Sequence, residues 1–285
     1  MRYYLILEFA VAFLLCAPSS QGAVILLNVG PVALHGTFAP MAGPHKRLHI
    51  RFNHPGWLRG YSVHILDDKG KVADDRDIFC HATIREGEPA NMPGNGIYFD
   101  KLHLILEQGR TEMHFPDGYG VRVDSTTDYS LEARLQSRDA ANDGIYSFQV
   151  RLEVAYEDDG APPKDLQVLY IPINGEDEDW TMPPGENELR HEFTMPYSGT
   201  IHLAEFHIHE YVKKLSLFDA ASKRTLYESP VANDAKGYPL SIPTYESAEG
   251  IPVAAGKRYE FVLAYSNPTN RSYHSMGIMR LFVNR

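Results

Sequence analysis

Cysteine, tryptophan and basic residues are all scarce in this chain. Its 285 residues include two cysteines and two tryptophans, and 27 Lys and Arg stand against 37 Asp and Glu, giving a net charge of -10. A negative net charge repels phosphate backbones and anionic membrane surfaces, so we expect no nucleic-acid partner. No apolar run after the N-terminus is long enough to cross a bilayer as a helix, so we expect no stable membrane insertion of the mature chain.

The short motifs of several enzyme classes are absent too. The sequence has no Gly-x-Ser-x-Gly, His-Glu-x-x-His, P-loop or Gly-x-Gly-x-x-Gly segment, so hydrolase, zinc-protease and nucleotide-binding interpretations have no support. A sustained apolar repeat at 3.6-residue spacing is also missing, whereas Gly, Pro and Tyr are plentiful at 22, 19 and 17. Short strands joined by turns fit this composition, so an all-β protein is predicted.

The N-terminus has the pattern of an export signal. Arg2 supplies a positive start, residues 9–17 are apolar, and small residues follow at 18–22. The apolar stretch is too short to span a bilayer, so a cleaved signal peptide is predicted at 1–22 and a periplasmic or extracellular location for the mature protein.

Cleavage of that signal would remove Cys16 and leave Cys80 as the single thiol. The mature protein then has no internal disulfide. An unpaired thiol in an oxidising compartment is either buried as a small hydrophobe or used, for example as a soft metal ligand.

Alternating polar and apolar segments recur along the chain, and turn sequences rich in Gly, Asp, Asn and Pro separate them. An acidic segment with Gly and Pro at 157–163 divides these segments, so we predict one β-sandwich domain at 23–163 and another at 164–285. The predicted strands are Leu58–Ile65, Ile78–Ile84, Lys101–Leu106, Tyr119–Val123, Tyr129–Leu135 and Tyr146–Tyr156, followed by Glu188–Thr194, Gly199–Tyr211, Leu215–Phe218, Tyr259–Tyr265 and Met276–Val283.

His207 and His209 form the strongest candidate metal pair. Both lie in a predicted strand, where alternate side chains project from one side about 7 Å apart along the backbone. This spacing suits two imidazoles that meet at one metal ion. Two half-exposed histidines on a sheet surface are the alternative.

His274 and Met276, at the start of the last predicted strand, share a face by the same alternation. A thioether beside two imidazoles is a donor set that selects copper over calcium or magnesium and that holds Cu(I). An ordinary core methionine is the alternative for Met276.

The second half of the chain resembles the C-terminal domain of the copper type II, ascorbate-dependent monooxygenases, the family of peptidylglycine α-hydroxylating monooxygenase and dopamine β-monooxygenase, in a microbial form. The resemblance rests on the segments 207–211, 215–219, 256–261, 265–269 and 276–279. It implies a fold of two jelly-roll β-sandwiches in tandem. It also implies that His207, His209 and Met276 bind the copper ion at which oxygen is activated.

The first half resembles the family's N-terminal domain through residues 59–63, 68–70 and 115–120. Family enzymes hold a second, electron-relaying copper there with an adjacent His-His pair and a later histidine. The matching positions read Cys80-His81 and Ala155, so a degenerate relay site is expected, with Cys80 and His81 as its vestige. A buried free cysteine beside a satisfied histidine is the alternative.

These patterns predict an exported protein with one copper ion per chain, oriented by the neighbouring His274, Tyr211 and Glu210. An enzyme of this kind would carry out copper-dependent oxidation, with O2 and a small-molecule reductant such as ascorbate as partners. The alternative is a non-catalytic copper-binding or carrier protein, or a cell-surface interaction module, on the same scaffold. The changed relay ligands favour this alternative.

Overall fold

The computed structural model describes residues 22–38, 42–73, 77–87, 90–92, 97–100, 103–137, 139–156, 162–175 and 179–285. The predicted signal peptide, with Cys16, lies outside these residues except for Gly22. No helix in the described ranges is long and apolar enough to cross a membrane.

The prediction of an all-β fold with two jelly-roll-like sandwiches is confirmed. Apart from a 3-10 turn at Ala140–Asn142, the regular elements of the described residues are strands. They are β1 (Ala23–Leu34), β2 (His45–Ile50), β3 (Gly56–Leu66), β4 (Phe79–Arg85), β5 (Ala90–Met92), β6 (Ile97–Asp100), β7 (His103–Glu107), β8 (Glu112–His114), β9 (Tyr119–Val123), β10 (Tyr129–Leu135), β11 (Gly144–Tyr156), β12 (Lys164–Asp165), β13 (Gln167–Pro172), β14 (Asp179–Met182), β15 (Gly185–Thr194), β16 (Gly199–Ile208), β17 (Val212–Asp219), β18 (Thr225–Pro230), β19 (Ala232–Asn233), β20 (Pro239–Ser241), β21 (Tyr245–Val253), β22 (Arg258–Asn267) and β23 (Tyr273–Asn284).

The first sandwich packs a sheet of order β1-β11-β3-β9-β12, with β8 also paired to β3, against a sheet of order β2-β10-β4-β7. Strand β10 shows why these segments form strands. Tyr129, Leu131, Ala133 and Leu135 are buried in turn, and the residues between them are half-buried on the other face. This alternation buries one face of the sheet and leaves the other for polar side chains.

The second sandwich packs a sheet of order β21-β16-β23-β13-β6-β5, with β14 also paired to β23, against a sheet of order β15-β22-β17-β18. The larger of these sheets also receives β5 and β6 from the first half of the chain, whereas β12, after residue 163, pairs with β9. Strands therefore cross residue 163 in both directions. The domain limits 23–163 and 164–285 stay a prediction.

The sandwiches meet across one face of the larger sheet of the second sandwich, which we call the junction sheet (β21, β16, β23, β13, β6, β5 and β14). In β16, Phe206 and Ile208 point into the core of the second sandwich. Leu203 and Phe282 instead belong to the core of the first sandwich, where the rings of Phe282 and Phe115 have centroids 5.3 Å apart. Residues of β16 that share the face of Leu203 are therefore buried between the two sandwiches.

Candidate functional site

The turn after β7 is the part of the first sandwich that reaches the polar end of β16. Within it, the N–H groups of Glu107 and Arg110 each donate to the other residue's carbonyl oxygen at 2.9 Å. Gly109 adopts a φ of +85°, which favours glycine, and its carbonyl oxygen accepts a hydrogen bond of 3.1 Å from Ile242 N–H. The turn therefore docks on the second sandwich and carries Glu107 and Arg110 into the junction.

Glu107 binds the first histidine of the predicted metal pair. One of its carboxylate oxygens, Oε2, lies 2.7 Å from Nδ1 of His207 and accepts a hydrogen bond of 3.2 Å from the backbone N–H of Ile208. Both side chains are almost fully buried. A proton on Nδ1 that is donated to the carboxylate leaves the lone pair on Nε2, which is the arrangement found in carboxylate–histidine–metal sites.

Two arginines balance the buried carboxylates. Nη2 of Arg110 lies 3.0 Å from Oε1 of Glu107 and 3.1 Å from Oε2 of Glu205, and Nη1 of Arg280 lies 3.6 Å from Oε1 of Glu205. The side chains of all four are at most 4% exposed. Because buried charged groups need partners, these two carboxyl groups and two guanidinium groups pair with one another where the sandwiches meet.

Burial also shifts the acid–base properties of the junction. It raises the pKa of Glu107 to about 7, although the nearby Arg110 opposes the rise. Burial, reinforced by the nearby His207 and Arg134, lowers the pKa of His81 well below its usual value. His81 is therefore neutral at pH 7, which is the form of imidazole that binds metal ions.

Cys80 and His81 lie beside the His207–His209 pair, although the sequence assigned them to a separate site. Sγ of Cys80 lies 3.3 Å from Nδ1 of His81, and Cys80 is buried and forms no disulfide. The ring centroid of His207 lies 6.0 Å from that of His81 and 5.5 Å from that of His209. We call these four residues together with Glu107 the junction site.

A small cavity opens between these side chains. Its volume of about 20 Å³ gives room for one water molecule or one metal ion. It is lined by Cys80, Glu107, Gln108, Gln136, His207, Ile208, His209 and Pro239.

The ring separations are compatible with metal binding by imidazole pairs. An imidazole that binds an ion at roughly 2.0–2.1 Å has its centroid about 3.2 Å from the ion, so two rings on one ion lie about 5–6 Å apart at angles of about 110–140°. However, no group of three or more His, Cys, Asp or Glu side chains within the described ranges is arranged to hold a metal ion. A site on His207 and His209 therefore needs a third ligand of another type.

Met276 lies on the same face of the junction sheet as the histidine pair. In the antiparallel pairing of β16 with β23, His207 lies opposite Ile278. Met276 comes two residues before Ile278 in β23, so it lies beside the end of β16. Its side chain is buried and packs with Tyr170 and Ile278. Met276 thus lies on the face of the histidine pair and near the end of β16, but it packs among apolar side chains and is not one of the residues that line the cavity.

The other three predicted neighbours lie around the end of β16. His274 is exposed in β23, and Glu210 is half-buried. Tyr211 has a φ of +66°, and its ring centroid lies 5.4 Å from that of Tyr273. Reasoning from sequence missed the partners Glu107, Arg110 and Arg280. The one available signal was Glu205, which shares the face of His207 by strand alternation.

The geometry therefore defines a protein of two β-sandwiches with a buried histidine cluster between them. No protein-family model and no curated protein sequence matches the chain. Among solved structures it is similar to PNGase F, a glycosylasparaginase from Flavobacterium meningosepticum, with 8% identity, coverage of 92% of this chain and 96% of that chain, and a TM-score of 0.46. It is also similar to the major capsid protein P2 from bacteriophage PM2, with 11% identity, coverage of 92% and 98%, and a TM-score of 0.40. A third similar structure is the STIV MCP, with 8% identity, coverage of 92% of this chain and 96% of that chain, and a TM-score of 0.42.

The resemblance to the copper type II monooxygenases is contradicted, and the expectation that this chain is a microbial relative of that family is wrong. The comparisons return PNGase F and capsid jelly rolls, and no family model or related sequence supports the monooxygenases. Residues 215–219, 258–261 and 265–267, among those that carried the resemblance, are strand residues of β17 and β22. Alternation and turn residues of this kind occur in any sandwich, so they indicate fold and not family.

Proposed function

We propose that this chain binds one copper ion at the junction, through the imidazoles of His207 and His209 and the thioether of Met276. The observation that carries the proposal is the hydrogen bond between Glu107 and Nδ1 of His207, at 2.7 Å. A buried carboxylate that accepts from one ring nitrogen and leaves the other nitrogen for an ion is typical of metal-binding histidines.

Copper is the metal that this donor set favours. Two imidazoles and a thioether are borderline-to-soft ligands, which bind Cu(I) better than they bind calcium or magnesium. The histidines lie 5.5 Å apart at a cavity that has room for a single ion. The proposal therefore concerns one ion per chain, with Cys80 and His81 beside it and not at a distant second site.

As an enzyme, the protein would use such an ion for oxidation by O2 with an external reductant such as ascorbate. The burial of the site favours the second candidate function, a non-catalytic copper-binding or carrier protein. His207 and His209 are only 3% and 7% exposed, so only small molecules could reach an ion between them. The proposal includes export to a periplasmic or extracellular compartment, on the pattern of residues 1–22.

The first test is copper stoichiometry by metal analysis together with electron paramagnetic resonance. We expect one copper per chain in the wild type and none in His207→Ala or His209→Ala. His274→Ala is the matched control, because it removes an exposed histidine from β23 and should keep the ion. No copper in the wild type would overturn the proposal, and a second ion that survives His207→Ala would assign Cys80 and His81 a site of their own.

Oxygen consumption with ascorbate separates the two functions. An enzyme should consume oxygen faster once copper is added, and His207→Ala should abolish the increase. A bound ion without any such increase would identify the carrier function. A rate that His207→Ala leaves unchanged would exclude catalysis at this site.

A further inference from the structure

We infer that Glu107 is a positioning residue, which holds His207 with its proton on Nδ1 and its Nε2 free for an ion. The site is then shared, because its ligands lie on the second sandwich and the group that orients them lies on the first. The part that concerns metal affinity rests on the proposed function. The part that concerns the proton does not.

Hydrogen bonds hold both oxygens of the Glu107 carboxylate. Oε2 receives His207 Nδ1 at 2.7 Å and the N–H of Ile208 at 3.2 Å, while Oε1 receives Arg110 Nη2 at 3.0 Å. The backbone N–H and carbonyl of Glu107 are both bonded to Arg110 in the docked turn. Glu107 therefore has no freedom to turn away, and it holds the imidazole at a fixed angle.

The contacts of the carboxylate indicate which way the hydrogen bond runs. Oε2 accepts a hydrogen bond from the N–H of Ile208, and Nη2 of Arg110 donates to Oε1. Both oxygens therefore already act as acceptors, which is the role of a carboxylate that also accepts from Nδ1–H of His207. This arrangement places the proton of the 2.7 Å contact on Nδ1 of His207.

Losing this orientation should weaken metal binding without removing a ligand. Substitution of a residue that orients a metal-bound histidine typically lowers affinity or activity 10–100-fold. We expect Glu107→Met, which removes the acceptor at similar volume, to weaken copper affinity by about that factor. Glu107→Gln keeps an oxygen for Nδ1–H and Ile208 N–H, so it should restore most of the affinity.

Glu205 offers a matched control within the same network. Its carboxylate is fully buried and is ion-paired with Arg110 and Arg280. Glu205→Met, like Glu107→Met, removes a buried carboxylate from the junction. The carboxylate of Glu205, however, is the one that pairs with both arginines. It should lower thermal stability as Glu107→Met does and leave the copper affinity within about threefold of the wild type.

The decisive measurement is made on the metal-free protein. Selective ¹⁵N labelling of histidine lets NMR assign the protonated nitrogen of His207 from its chemical shifts, with His207→Ala to identify the signal. We expect a proton on Nδ1 in the wild type and in Glu107→Gln, and a changed pattern in Glu107→Met. Competition titration with Cu(I) and Cu(II) then gives the copper affinities of the wild type, Glu107→Gln, Glu107→Met and Glu205→Met.

A wild-type His207 with its proton on Nε2 and a bare Nδ1 would overturn the inference, and this result needs no variant to fold. Equal loss of copper affinity in Glu107→Met and Glu205→Met would also overturn it, since a general loosening of the junction would then explain both. A proton on Nδ1 in a protein that binds no copper would support the positioning role of Glu107 and refute the proposed function alone.

Discussion

Removal of the Arg110 side chain tests whether the buried ion network holds the sandwiches together. Nη2 of Arg110 contacts both carboxylates, and it also donates to the carbonyl oxygens of Ile105 at 3.2 Å and Phe206 at 2.9 Å. Arg110→Met keeps most of the apolar stem and deletes these contacts. The change therefore isolates the charge and the hydrogen bonds.

The expected cost follows from burial. Breaking a buried ion pair on one side leaves an uncompensated charge and typically costs about 3–5 kcal/mol of unfolding free energy. The double variant Arg110→Met/Glu205→Met removes one charge of each sign, so it should cost about 1–3 kcal/mol less than the two single changes added together. Arg258→Met is the surface control, because Arg258 and its partner Glu192 are 68% and 43% exposed. It should cost less than about 1 kcal/mol.

Urea denaturation measures these differences, and the two tryptophans make it possible to follow each sandwich separately. Trp57 lies in β3 of the first sandwich and Trp180 in β14 of the second. Variants that keep only one of them show whether the two transitions coincide, which two-state free energies require. If Arg110→Met costs no more than Arg258→Met, or if the double variant costs the full sum, the network does not hold the junction and this reasoning is refuted.

Three further changes test separate parts of the structure. Burial would raise the pKa of Glu132, but hydrogen bonds from two arginines outweigh it and lower the pKa to about 2. Glu132 therefore stabilises the fold fully above pH 4.5 and loses this effect as pH falls through 2. Glu132→Gln should cost about 1–2 kcal/mol at pH 7 and only a small part of that at pH 2, measured by thermal unfolding, and a pH-independent cost would contradict this. Gly237 has a φ of +90°, and a Cβ there would lie 2.2 Å from the ring of Tyr211. Gly237→Ala should therefore destabilise the fold by several kcal/mol more than Gly256→Ala, whose added Cβ meets nothing within 4 Å. Cys80 is 7% exposed, so a thiol reagent should label it only after denaturation, and rapid labelling of the native protein that Cu(I) suppresses would instead make it a ligand.

The alternation of polar and apolar residues predicted some strands of this fold and failed to predict others. Strand β10 alternates strictly, and its predicted limits, Tyr129–Leu135, agree with the structure. Strand β13 was missed, because Val168 packs in the first core while Leu169 and Ile171 pack in the second. A strand that is buried on both faces reads as a continuous apolar run, which periodicity alone does not identify.

The same two-sided burial explains why only part of the junction site could be predicted. Alternation placed His207 and His209 on one face, but periodicity does not say what lies opposite that face. Glu107 is 100 residues away from His207 in the chain, and no local pattern links the two. Because an unpaired buried polar group is costly, Glu205 and His207 need partners, and the first sandwich supplies Arg110 for Glu205 and Glu107 for His207. The turn that carries Glu107 and Arg110 meets that requirement, so the features that bury the histidines also place the groups that orient them.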